Sequence, residues 1–167
     1  SVTKNQNHRI NFKIEHQFDS SNSLIITPNI SCQETESATD VTTFSTRGTS
    51  KNLNNSIAST DRNNSGYNAS LEATFRHRFK KKGRTYSIAF NPGKSVNDGT
   101  TSNYSINNFF NTTTPYADTI NQVGITNRDS KTMNATFSFT EPIGKNQIIE
   151  FNYNYNSNVN NSGTQTF

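Results

Sequence analysis

The chain has 167 residues, of which 29% are hydrophobic and 17% charged, with a formal net charge of +4. An ordinary globular domain carries roughly 45–50% apolar residues by a slightly broader count, so this chain is too polar for a usual single core. A disordered chain is a poor fit from the other side, because 12 Phe and 6 Tyr accompany the sparse charge.

Asparagine takes up much of the difference, with 27 copies. The single cysteine, Cys32, excludes an internal disulfide framework. No run of about 18 apolar residues exists, so a transmembrane helix is excluded too. The sequence starts at Ser1 without Met or a signal-like segment, and residues 1–167 are expected to be one segment of a larger chain.

Helical periodicity is absent, and period-two alternation recurs instead. From Arg9 to Phe18 the even positions read Ile10, Phe12, Ile14, His16 and Phe18, against Arg9, Asn11, Lys13, Glu15 and Gln17. Asp19 to Asn22 forms a tight turn into a second strand. There Leu24, Ile26, Pro28, Ile30 and Cys32 share a face, with Ile25 as the exception. Residues 34–65 are rich in Asn, Ser, Thr and Gly with weak alternation, and read as a long connection. From Tyr67 to Phe79 one face reads Tyr67, Ala69, Leu71, Ala73, Phe75, His77 and Phe79; the other reads Asn68, Ser70, Glu72, Thr74, Arg76 and Arg78.

A turn over Lys80 to Arg84, with Gly83, leads into Tyr86, Ile88 and Phe90. Residues 99–130 read as a second long connection, with the patch Tyr104, Ile106, Asn108 and Phe110 as strand extending beyond the main stripes. Met133, Ala135, Phe137 and Phe139 then oppose Asn134, Thr136, Ser138 and Thr140. After a turn over Glu141 to Asn146, Ile149, Phe151, Tyr153 and Tyr155 oppose Glu150, Asn152, Asn154 and Asn156, with Ile148 out of phase. The expected fold is all-β, built of antiparallel up-and-down hairpins with six main strands. One hairpin design recurs loosely: His16 and Phe18, turn, strand, Pro28, then His77 and Phe79, turn, strand, Pro92.

Alternation by itself fits a soluble sandwich as well as a membrane barrel. Three features favour a transmembrane β-barrel. Short and long connections alternate along the chain. Aromatic residues flank the short turns (Phe18, Phe79, Tyr86, Phe139), and others sit at the far ends (Tyr67, Tyr155), like two interfacial girdles. The stripes run about 9–11 residues, the length of a tilted bilayer crossing. Six strands are too few to close a barrel, for which about eight is the usual minimum. The alternatives are a soluble β-sandwich, serving as an adhesin-like or glycan-binding surface module, and a small self-contained barrel that draws two more strands from 34–65 and 99–130.

The segments Asp19 to Pro28, Arg76 to Thr85 and Thr140 to Asn146 resemble hairpins of TonB-dependent-receptor-like outer-membrane β-barrel proteins of Gram-negative bacteria. The likeness spans about residues 8–156. It implies a barrel fragment of a nutrient transporter or receptor in the cell outer membrane. The partners it implies are outer-membrane lipid and, in a full-length parent, a plug domain and the TonB complex. No plug, signal peptide or TonB-box segment is recognisable in this sequence. The matching segments are structural turns, so the resemblance carries over no functional residue, and the ligand stays unknown.

Chemistry-bearing motifs are missing. His8, His16 and His77 show no metal-ligand spacing, so no metal is expected. His16 and His77 read as amphipathic residues at a membrane interface. Cys32 reads as a packed or lipid-facing thiol and not as a nucleophile. The carboxylates occur singly, and Gly93 and Gly99 form no phosphate loop. No catalytic residue, cofactor site or substrate-binding residue is assigned, and the chain is not expected to be an enzyme. Lys80 to Arg84 is a candidate anionic-lipid or nucleic-acid patch, but reads first as a solvated turn, and no nucleic-acid partner is expected. The Asn-x-Ser/Thr triplets at Asn54 and Asn111 follow from composition.

Overall fold

The computed structural model describes residues 1–48, 51–110 and 113–167, with backbone alone at 51 and 52. The Asn111 triplet lies outside the described residues. The strands are β1 (Val2–Asn11), β2 (Ile14–Gln17), β3 (Asn22–Arg47), β4 (Lys51–Arg78), β5 (Thr85–Phe109), β6 (Tyr116–Pro142) and β7 (Ile148–Thr166). They form one open antiparallel sheet in the order β1-β3-β4-β5-β6-β7, with β2 also paired to β3. β1 and β2 keep a common register against β3 and are two pieces of one lane (Asn11 opposite Asn29, Ile14 opposite Ile26). The sheet therefore has the six lanes that alternation predicts.

The three short turns stand where the sequence puts them. Most of 34–65 and 99–130 is strand and not loop. Residues 34–47 and 51–65 extend β3 and β4, and 99–109 and 116–130 extend β5 and β6: Val41 faces Ala58, Asn103 faces Gln122, and the β3–β4 register shifts once, between Ser45 and Thr46. A ladder of this kind is held by backbone hydrogen bonds and needs no apolar stripe. Where both faces are wet, the alternation that marks a strand falls silent. Cross-strand polar pairs supplement the ladder, including Thr60 Oγ1 donating to Asn103 Oδ1 at 3.1 Å and Asn108 Nδ2 to Asn55 Oδ1 at 2.8 Å. The expected loops, and the small barrel drawing two extra strands from them, are thus overturned: these regions lengthen four lanes and add none. At about 3.3 Å per residue, β4 is roughly 90 Å long, well over twice a bilayer crossing.

Two interior prolines explain the only breaks in the ladders within the belt. Pro28 lacks an N–H, and the lane opposite it is interrupted between β1 and β2, where only Phe12 N–H reaches the Pro28 carbonyl at 3.5 Å. Pro92 interrupts the β4–β5 register between Ser70–Gly93 and Ala73–Phe90 in the same way. Both prolines flank Leu71, so the recurring hairpin places them level despite unequal spacing.

No described residue is buried, and each strand contacts only its neighbours in the sheet. The described residues form one open layer, which fits a piece of a barrel wall and equally one leaf of a sandwich. At the second short turn Gly83 adopts φ +84°. Gly83→Ala should destabilise this hairpin by about 1 kcal/mol, since a Cβ is disfavoured there. Urea unfolding from micelles checks this, and an unchanged midpoint would contradict it.

Candidate functional site

The register brings the apolar stripes of all six lanes onto one face. Crossing the sheet, one row reads Ile14, Ile26, Ala73, Phe90, Ala135, Tyr155. The row nearer the short turns reads His16, Leu24, Phe75, Ile88, Phe137, Tyr153. The row between them emerges on the opposite face as Glu15, Ile25, Thr74, Ala89, Thr136, Asn154. The apolar belt stands uncovered, with Ile10 64%, Phe151 57% and Tyr153 58% exposed. A contiguous apolar surface on this scale marks contact with a membrane or another macromolecule.

The far edge of the belt is slanted. The row holding Ala69 on β4 already holds Lys94 on β5 and Lys131 on β6. On β7 the stripe ends at Tyr155, because Ser157 stands opposite Met133. The boundary thus steps back from β4 to β7, level between β3 and β4 and between β5 and β6, with Val96 and Val159 as single apolar side chains beyond it. A stepped edge of this kind fits strands that tilt in a barrel wall, typically by about 35–45°. The stripe from Tyr67 to Phe79 runs about 40 Å along β4, or roughly 30 Å across a tilted wall, close to a bilayer's hydrocarbon thickness.

Aromatic rings crowd the short-turn end of the belt. His16 meets Phe18 edge-on with centroids 4.5 Å apart, and His77 meets Phe79 edge-on at the same distance. Tyr86 lies 5.0 Å from His77 and 5.9 Å from Phe79, and Phe79 lies 6.4 Å from Phe139. The recurring His-x-Phe motif is therefore a recurring edge-on ring pair at the short-turn end. His77 is further tied by Nδ1, 2.6 Å from Asn22 Oδ1.

Below the girdle, charge replaces apolar surface. Glu141 joins the second and third turns: Arg84 Nε donates to Oε2 at 2.5 Å, while Arg84 Nη2 and Lys81 Nζ donate to Oε1 at 2.8 and 2.6 Å. Arg84 also lies 5.7 Å above the Phe79 ring. Arg84, then Lys81, hold the Glu141 carboxyl down at about 2 from an ordinary 4.5. At the first turn, the Asn22 side chain and the Ser21 and Asn22 amides hold Asp19 below its ordinary value. The Glu141 link should be fully present above about pH 4.5 and disappear as pH falls through about 2. A carboxyl carbon-13 titration checks this, and a midpoint near 4.5 would contradict it.

The opposite face is mainly polar across the belt, while beyond it the same face carries Val41, Ala58 and Ile120 in one row and the stacked rings of Phe109 and Tyr116. Lys13 pairs with Glu15 at 2.9 Å, Thr136 donates to Asn154 at 2.9 Å, and Asn156 donates to Asn134. Ile25 is an apolar side chain within it, as the alternation implies. At the far rim of the belt, Lys94 pairs with Asp129 at 3.5 Å. His8 stands opposite Cys32, whose thiol is free and exposed. Among the described residues, no three His, Cys, Asp or Glu side chains gather as a metal site. Sequence reading missed the Glu141 cluster; its signal was a basic turn and an acidic turn one hairpin apart.

No family model matches the chain, and no curated protein matches it. Among solved structures it is similar to the RagAB peptide importer in its open-open state, at 7% identity and TM-score 0.40. The match covers 90% of this chain and 19% of that one, so this chain spans about a fifth of its length. At that TM-score the likeness carries no argument about what this chain does.

Proposed function

We propose that this chain is a wall segment of a transmembrane β-barrel in the outer membrane, and that its parent is a TonB-linked transporter or receptor for nutrient uptake. The observation that carries the membrane reading is the belt: six lanes in register, apolar on one face, polar on the other, and slanted as tilted strands require. In hydrocarbon every backbone amide needs a partner, so the free edges at β1–β2 and β7 call for further strands from the parent. The polar face then lines a wet or plugged bore. The short turns face the periplasm, and the long hairpins stand outside the cell. The hairpin resemblance supports the TonB-linked half of the reading, with a plug domain and the TonB complex as the parent's partners. The chain serves as scaffold and carries no catalysis of its own.

Site-directed spin labels on a Cys32→Ser background test the belt in reconstituted bilayers. Labels at Phe151, Tyr153 and Tyr155 should collide with oxygen, and labels at Asn152, Asn154 and Asn156 with a water-soluble nickel chelate. A soluble sandwich would instead shield the first set from both reagents, and that outcome would overturn the proposal.

A further inference from the structure

We infer that the second and third short turns form a docking surface for anionic phospholipid headgroups of the leaflet they reach. The inference rests on the membrane reading above and goes beyond it by naming a lipid class.

The surface begins where the belt ends. Phe79, Tyr86 and Phe139 close the apolar surface, and Lys80, Lys81, Lys82 and Arg84 follow directly, with Lys145 in the neighbouring turn. Glu141 is occupied by Arg84 and Lys81. That bridge fixes both turns together and seats the Arg84 guanidinium against Phe79. Lys80 and Lys82 are exposed, and no ion pair is seen for either among the described residues. Two ammonium groups are thus left at headgroup depth, on a braced turn, beside rings that sit at the acyl boundary. The first turn differs: its acid, Asp19, accepts from the Ser21 and Asn22 amides and the Asn22 side chain, and the one cation seen on it, Arg78 of β4, is engaged by the Ser20 carbonyl at 2.7 Å.

Charge and continuity select the occupant. A nucleic acid would engage the cations but leave the adjoining apolar belt uncovered. A phospholipid satisfies both parts, with tails on the belt and phosphate on the lysines. Juxtamembrane Lys and Arg attract anionic lipid by about fivefold per residue.

The sequence has no tryptophan, so one introduced Trp gives a local signal. In phosphatidylcholine nanodiscs, a Tyr86→Trp variant reads lipids at the turn end and a Tyr67→Trp variant reads the far rim. Brominated phosphatidylglycerol and brominated phosphatidylcholine are compared as quenchers at equal mole fraction. The expected result is an apparent affinity for phosphatidylglycerol at least about fivefold higher at position 86, the effect of one lysine, and up to about 25-fold if both act in full, against near unity at position 67. The preference should vanish in Lys80→Ser/Lys82→Ser. Equal quenching by both lipids at position 86 overturns the inference and leaves the belt standing. A persisting preference in the double variant also overturns it. No quenching by either lipid at either position removes the membrane reading itself.

Discussion

Phe90→Arg should destabilise the sheet in micelles by about 2–4 kcal/mol, because the proposed barrel wall turns Phe90 to lipid near the bilayer midplane, where a cation is penalised most. Phe90 lies in the row from Ile14 to Tyr155, two residues above the Ile88 row and four above the girdle residue Tyr86. Its neighbours across the sheet are Ala73 and Ala135, too small to shelter a guanidinium. Snorkelling toward either headgroup region would have to pass Ile88 or Pro92. The control is one residue away. Ala89 faces Thr74 and Thr136 on the polar side, and Ala89→Arg should stay within about 0.5 kcal/mol of neutral. Urea unfolding into and out of lipid micelles reads both. Equal costs for the two variants would mean that the sheet has no lipid side.

Gly66→Ala should cost about 1–3 kcal/mol, as overpacking does where the neighbour cannot yield. A methyl at position 66 would stand 2.5 Å from the Val96 carbonyl oxygen, which is backbone. The strands must part, or the ladder between Gly66–Asn97 and Tyr67–Val96 must bend. The effect should be local, because the long wall beyond the belt is held by its ladder and a few cross-strand polar pairs. Amide hydrogen exchange should accelerate in β4 and β5 around 63–68 and 95–100, and stay unchanged near the short turns. Unaltered exchange beside Val96 would show that the strands approach less closely there.

Much of this architecture is legible in the residues. Strict alternation from Arg9 to Phe18, Tyr67 to Phe79 and Ile149 to Asn156 determines which side chains share a face, because a strand's period is two whatever it packs against. The three short turns follow from Gly83, Pro142, Gly144 and the Asp19 segment. The His-x-Phe pairs announce a repeated unit before its edge-on geometry is seen.

What the sequence left open was decided by pairing. Residues 34–47, 51–65, 99–109 and 116–130 scatter their apolar side chains over both faces without a continuous stripe, so the partner strand and not periodicity reveals them as sheet. The level placement of Pro28 and Pro92, the joining of Glu141 to Arg84 and Lys81, and the slant from Ala69 to Lys94 and Lys131 all depend on register. Register is a relation between strands distant in sequence. It emerges only when the backbone hydrogen bonds of all six lanes are satisfied together.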